Sequence, residues 1–348
     1  MFSELIHKAR DKGASDIHLT TGRAPTVRIN GTLEVMDEFP EITKDSIVGI
    51  LRPILPEGAM GILENFGEED FALDVAGVRL RVNIFWQKDA PAAAVRLLPV
   101  NIPSMEDLGL PPVVRDLAML PRGLVLVTGP TGSGKSTTLA SMINYINENR
   151  KCHILTVEDP IEYIHNHKNC LVNQRETGRD TKSFCNALIS ALREDPDVIL
   201  VGEMRDIETM QAAITAAETG HLVLSTLHTL GSAKTVDRII DVFPGETQKQ
   251  IRAQLAETIA GVVSQQLLPK ADGSGRIAAL EIMTRTDAIS NMVREGKTHQ
   301  IASSIQTGKI LGMQLMDNTL SDYVKRGIIT REVARERCFD PRIMDNYL

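Results

Sequence analysis

The sequence predicts an α/β protein in two parts: a small α+β domain with an antiparallel sheet, then a doubly wound core of parallel strands and helices. Three observations carry this expectation. The chain has 348 residues, which is long for a single hydrophobic core and makes two domains the natural division. Its first third holds short strand-like runs punctuated by turn residues. Beyond about residue 122 the texture changes to continuous apolar runs separated by amphipathic helices, the pattern of strands buried on both faces.

The elements follow in order. Residues 2–12 place Phe2, Leu5, Ile6 and Ala9 on one helical face, and Gly13 stops the helix. Two alternating runs, Pro25–Ile29 and Thr32–Val35, flank Asn30-Gly31. Asn-Gly signals a hairpin because both turn residues must take positive φ. A helical stretch near 43–52 comes next, then three strand-like runs, Asp70–Ala76, Val78–Trp86 and Ala92–Leu98. Residues 1–98 are therefore the expected first domain. Pro99, Pro103, Pro111, Pro112 and Pro121 punctuate a stretch without long periodicity, which reads as a linker over 99–121.

Residues 122–348 form the expected second domain. Its buried strands are Leu124–Val127, Ile154–Val157, Val198–Val201 and Leu222–Leu224. Phe184, Leu188, Ala191 and Leu192 mark one helix, and Ile251, Leu255, Ile259 and Val262 another stripe. Val262–Leu268 and Arg276–Met283 flank Asp272-Gly-Ser-Gly, a hairpin signal. From about residue 286 the chain is helical, with Met316, Leu320, Tyr323 and Val324 on one face. No internal repeat is visible.

Composition excludes several classes. Net charge is −7, and residues 1–98 carry 11 basic against 15 acidic side chains, so neither part is basic. Aromatic residues make up 4%, few for base stacking, so nucleic acid is not expected as a partner. The four cysteines, Cys152, Cys170, Cys185 and Cys338, form no CxxC pair, and a structural metal is not expected. No apolar run approaches a bilayer span and Met1-Phe2-Ser3-Glu4 does not begin a signal peptide. A soluble, cytoplasmic protein is expected.

The strongest chemical signal is Gly129-Pro130-Thr131-Gly132-Ser133-Gly134-Lys135-Ser136-Thr137, set between a strand and a helix that starts at Lys135. Glycines let successive backbone N–H groups turn inward around phosphate oxygens, and the helix N-terminus adds partial positive charge. Lys135 would reach the β- and γ-phosphates of ATP, and Ser136 would offer its hydroxyl to Mg²⁺.

Asp197-Val-Ile-Leu-Val-Gly-Glu203 is a hydrophobic strand ending in an acid, at the sheet edge where ligands of such sheets sit. Glu203 would hold magnesium through water or orient the attacking water. Glu158, Asp159 and Glu162 follow another core strand, and Glu162 is the preferred second catalytic carboxylate; the alternative is a charged exposed loop. The strand from His221 to His228 could end at the γ-phosphate, where a histidine would sense nucleotide state; a structural histidine fits the spacing equally. Arg79 and Arg81 share a strand face, with Arg96 on a neighbouring strand. Such arginines can complete a neighbouring subunit's phosphoryl-transfer site or be plain surface residues.

Together, GPTGSGKST at 129–137, TVEDPIE at 156–162, ILVGEMRD at 199–206 and TGHLVLSTLHT at 219–229 resemble the type IV pilus and type II secretion ATPases, most of all the retraction ATPases. The likeness covers almost the whole chain. It implies a PAS-like N-terminal domain, a RecA-like ATPase domain and a homohexamer with ATP between subunits. It further implies a motor at the cytoplasmic face of the inner membrane, seated on a pilus platform protein, with an accessory retraction paralogue as a further partner. Carried over by motif, Arg81 and Arg96 become trans-acting arginines, Glu162 and Glu203 the essential acids, and His221 and His228 the His-box residues. Two positions depart from the pattern. Ser290 stands where the family's AIRNLIRE helix has arginine, and LRVN replaces FRVN. The tetracysteine motif of the assembly and secretion relatives has no counterpart here, which favours retraction.

Overall fold

The computed structural model describes residues 1–29, 31–55, 67–98, 101–341 and 344. Asn30 of the expected turn, Pro99 and Val100 at the start of the expected linker, and residues 345–348 lie outside the described residues. The chain divides into two compact units, Met1–Asn101 with Pro160–Ile164, and Ile102–Asp159 with His165–Leu348.

In the first unit, helix α1 (Phe2–Asp11) buries Phe2, Leu5, Ile6 and Ala9, the four residues its period puts on one face. Gly13 follows at φ +72°. Strands β1 (Asp16–Leu19), β2 (Thr26–Ile29) and β3 (Thr32–Val35) precede helix α2 (Lys44–Leu51). Thr43 and Ser46 cap α2 reciprocally, each side chain accepting from the other's backbone N–H. Strands β4 (Glu69–Val75), β5 (Val78–Gln87) and β6 (Ala90–Leu97) complete an antiparallel sheet of order β3-β2-β1-β6-β5-β4. Strand β5 alternates inward Val78, Leu80, Val82 and Ile84 with outward Arg79 and Arg81.

The second unit starts inside the stretch expected to be a linker. Helix α3 (Pro112–Ala118) lies there and buries Val113, Val114 and Leu117. Pro112 sits at its first turn, where the missing N–H breaks no helical bond. Strand β7 (Gly123–Thr128), helix α4 (Lys135–Asn149), strands β8 (His153–Glu158) and β9 (Leu171–Glu176), and helix α5 (Phe184–Ala191) follow. Next come β10 (Val198–Val201), α6 (Ile207–Glu218), β11 (Leu222–Leu227), α7 (Ser232–Asp241) and α8 (Gln248–Thr258). The hairpin strands β12 (Ile259–Pro269) and β13 (Arg276–Thr284) precede helices α9 (Asp287–Glu295), α10 (Ile301–Thr307), α11 (Met316–Lys325) and α12 (Arg331–Arg337).

One expectation is corrected. The stripe Ile251, Leu255, Ile259, Val262 is not one helix: α8 ends at Thr258, and Ile259 and Val262 belong to β12. Pairing with β7 wins there, because β-branched residues fit a buried pleated strand better than a helix.

The seven strands of this unit run in the order β13-β12-β7-β11-β10-β8-β9, parallel except for β13. Alternate residues feed two cores. Leu124, Leu126, Leu155, Val157, Ile199 and Val201 face one, and Val125, Val127, Ile154, Val198 and Leu200 the other. This double burial explains why these strands read as continuous apolar runs. It also holds all the parallel strand ends in register: Leu227 pairs with Thr128, and Val201 with both Ser225 and Val157. The loops after β7, β8, β10 and β11 therefore leave the sheet at one carboxyl edge, where open α/β sheets bind ligands.

Candidate nucleotide site

The phosphate loop leaves that edge after β7. Gly129, Gly132 and Gly134 have φ of +146°, +78° and +88°, conformations a side chain would strain. At Gly129 there is also no room, since a Cβ would collide with the Gln265 carbonyl and stand 2.7 Å from Ser133 Oγ. Gly134 is the N-cap of α4, so Lys135, Ser136 and Thr137 form the helix's first turn with their N–H groups unclaimed by the helix. Lys135 Nζ folds back and donates to the carbonyls of Gly129 (2.9 Å) and Pro130 (3.1 Å). Ser133 Oγ is buried without a hydrogen-bond partner. Thr131 and Ser136 are exposed.

Glu203 stands two residues beyond β10. The end of that strand is pinned by hydroxyls of β11: Ser225 Oγ donates to Val201 O (2.8 Å) and Thr226 Oγ1 to Gly202 O (2.6 Å). The Glu203 side chain is 14% exposed and engaged at both oxygens. Oε1 meets Arg205 Nη2 at 2.6 Å, and Oε2 meets His228 Nε2 at 3.4 Å. His228 directly follows β11. Behind it Thr229 and Thr235 share a hydroxyl bond of 2.7 Å, and Thr235 Oγ1 reaches Thr128 Oγ1, the last residue of β7, at 3.5 Å. Thr235 Oγ1 also donates to Gly231 O at 2.9 Å, the shorter of its two donor contacts, so its single proton goes there and the approach to Thr128 is a loose one.

The structure brings the phosphate loop, Glu203 and His228 to one edge. It does not bring His221 there. His221 precedes β11 at the opposite edge, with Nδ1 2.9 Å from Ala216 O and 3.2 Å from Thr219 Oγ1, and the strand between spans roughly 20 Å. Glu162 lies in Pro160–Ile164, which clusters with the first unit. Glu158 is a brace: its Oε1 accepts from Thr156 Oγ1 (2.7 Å) and Gln174 Nε2 (3.2 Å).

Arg81 and Arg96 occupy paired positions on β5 and β6. Arg81 Nη2 bonds Asp70 Oδ2 at 2.6 Å, and Arg96 Nε bonds Asp16 Oδ1 at 2.9 Å. The Arg96 hydrogen bond helps hold the Asp16 carboxyl below its usual range against the opposing effect of burial. Arg79 Nη1 bonds Asp74 Oδ2 at 2.8 Å, and its Nε reaches Ile161 O at 3.4 Å.

The family profile described as type II/IV secretion system protein matches residues 1–337. This chain belongs to that family. Among type II/IV secretion system proteins, the pilus retraction ATPase PilT of Pseudomonas aeruginosa is 50% identical over 340 residues, 97% of this chain and 98% of the relative. A crystal structure of the pilus retraction motor PilT with bound ADP matches with a TM-score of 0.93 at 49% identity, covering 99% of this chain and 98% of that one. The type IV pilus ATPase PilU of P. aeruginosa is 39% identical over 337 residues, 96% of this chain and 87% of the relative. No helix among the described residues is long and apolar enough to cross a membrane.

The residues fit the groups such a protein handles. Backbone amides at a helix N-terminus, three positive-φ glycines and Lys135 suit phosphates. The hydroxyl of Ser136 and the carboxylate of Glu203 are the hard oxygen donors that magnesium prefers. Two contributors were not singled out as site residues: Arg205, which lies within the ILVGEMRD segment, and Gln265, which lies outside every motif. Gln265 belongs to the polar run Ser264-Gln265-Gln266, which interrupts an apolar strand and is buried throughout. That interruption was the available clue, because buried polar side chains are there to bond something.

Proposed function

We propose that this protein is an ATP-hydrolysing motor that powers the retraction of type IV pili. The observation that carries this is the phosphate loop with Glu203 and His228 at one sheet edge, in a chain alike over nearly its full length to a pilus retraction ATPase. It is an ATPase. Lys135 and the first-turn amides of α4 hold the β- and γ-phosphates, and Glu203 orients the attacking water and takes its proton. Magnesium, when bound, neutralises phosphate charge, and Ser136 directly and Glu203 through water are the residues that would hold it. Glu162 is the second acid, His228 reports the γ-phosphate, and His221 lends support from the far end of β11.

In this reading the first unit is a PAS-like domain and the second a RecA-like domain with helical additions. Six copies close a ring, so that Arg81 and Arg96 of one copy reach the nucleotide of the next. The ring works at the cytoplasmic face of the inner membrane against a pilus platform protein. A PilU-like paralogue is a further partner. The chain could instead be that accessory motor; the lower identity to PilU, 39% against 50%, favours the main reading.

Deletion of the gene tests the proposal. Excess surface pili without twitching, restored by the wild-type gene and not by Lys135→Ala, are the expected result. Normal pilus number and normal twitching in the deletion would refute it.

A further inference from the structure

We propose that Gln265 is a positioning residue for the phosphate loop, an amide clamp that sets the direction of the loop's N–H groups. The inference rests on the nucleotide-binding reading of that loop. Gln265 is 2% exposed and stands one residue beyond Ser264, the β12 partner of Thr128, so it lies beside the start of the loop. Its side chain bridges two points there. Nε2 donates to Ser133 O, and Oε1 accepts from Thr138 Oγ1 at 2.9 Å. Its backbone carbonyl closes on Gly129, and a Cβ at Gly134 would stand 3.0 Å from Nε2. One residue of β12 therefore bonds the loop at 133 and the first helical turns at 138, and leaves little room for a side chain at 129 or 134.

The consequence follows from peptide planarity. In a trans peptide the C=O and the next N–H point in opposite directions. Holding Ser133 C=O toward β12 thus aims Gly134 N–H away from β12, into the loop. An amide is the side chain for this task because Ser133 O needs a donor and the Thr138 hydroxyl needs an acceptor. A carboxylate would set negative charge against Ser133 O, and a leucine would leave both partners buried and unsatisfied.

The test uses the full-length protein and a fluorescent ADP analogue, with circular dichroism as a check on folding. Gln265→Leu is expected to weaken ADP binding about ten- to a hundredfold. Thr138→Val, which removes the far end of the clamp without touching β12, is expected to weaken it about tenfold. Gln265→Glu supplies a readout that a packing role would not move. Its affinity relative to wild type should rise as pH falls from about 8 to 5.5, because the protonated carboxyl regains a donor for Ser133 O. If Gln265→Leu fails to fold, Thr138→Val and the pH profile decide. ADP affinity within twofold of wild type in every folded variant, with no pH trend in Gln265→Glu, overturns the clamp. Lys135→Ala is measured alongside. Should it bind ADP like wild type, the nucleotide site itself falls and the clamp with it, a result distinct from failure of the clamp alone.

Discussion

Nε2 of His228 lies 3.4 Å from Oε2 of Glu203, across the ends of the adjacent parallel strands β11 and β10. The pair sits at the edge from which the phosphate loop leaves, and Arg205 holds the other Glu203 oxygen at 2.6 Å. A carboxylate so placed can exchange these bonds for one to a water when nucleotide enters. Glu203→Gln keeps the shape and loses the basic oxygen. We expect kcat to fall by roughly 10²–10⁴-fold with ADP affinity within about threefold of wild type. Glu162→Gln is expected to shift the same way. Steady-state hydrolysis and fluorescent ADP titration measure both quantities, and an equal loss in the two would contradict the assigned roles.

Lys135 makes its case through present partners. Its ammonium bonds two loop carbonyls, Gly129 O and Pro130 O, neutral groups that phosphate oxygens outcompete because charged acceptors bond more strongly. Lys135→Ala should reduce hydrolysis by at least about a hundredfold while thermal unfolding stays near wild type. Residual activity within about threefold of wild type would remove Lys135 from the site.

How much of this was legible in the sequence depended on sequence distance. The strand, loop and helix from Gly123 to Asn149 form one contiguous stretch, so glycine spacing and the apolar run could announce them together. The approach of Thr235 to Thr128 and the contacts of Gln265 with Ser133 and Thr138 join residues about a hundred or more positions apart, and no local pattern encodes such pairs. Period two put Arg79 and Arg81 on one face, yet only the register shows Arg96 opposite Arg81. The two histidines flanking β11 read as one box, and geometry separates them because a six-residue strand spans the whole sheet. Strand β9, with its half-polar Asn173-Gln-Arg-Glu, lacked the apolar signal because it is an edge strand. Cys152 and Cys170 look scattered, yet their sulfurs are 3.4 Å apart, and burial above all pushes the Cys152 thiol up to about 12.

His165 gives the second unit an acid-sensitive point. It is buried with Nδ1 unpartnered, and burial, aided by the charge of Lys168, pushes its pKa down from 6.5 to about 4. Above pH 6.5 the group is neutral folded or unfolded and contributes no pH dependence. Between 6.5 and 4 the unfolded chain binds a proton that the folded one refuses, so stability falls as pH falls, by up to about 3 kcal/mol at the lower end. Urea midpoints at pH 7.5 and 5 should therefore drop less for His165→Gln than for wild type. An identical drop in both proteins would show that His165 is not responsible.

Arg81 and Arg96 are direct cross-strand partners in the first unit, two cations opposite one another on a sheet face. Like charges so placed are destabilising, their Cβ atoms lying about 4.5–5.5 Å apart, and the fold offsets this with Asp70 on one and Asp16 on the other. Each guanidinium is thus tied to a carboxylate that a phosphate could replace, because the fork of donors suits both anions. The unit that carries them contains no phosphate loop of its own. The proposed ring is one whose head-to-tail interface sets this face against the neighbour's nucleotide. The Arg81→Ala, Arg96→Ala double variant should then bind ADP normally and hydrolyse ATP at least about a hundredfold more slowly. Mixed with Lys135→Ala, itself inactive, it should recover part of the activity, since some intact loops then meet intact arginines. Light scattering at micromolar protein should report a hexamer, and co-purification of two tags shows that mixed rings form. If mixed rings form and no ratio of the two variants restores hydrolysis, the arginines do not act across the subunit boundary.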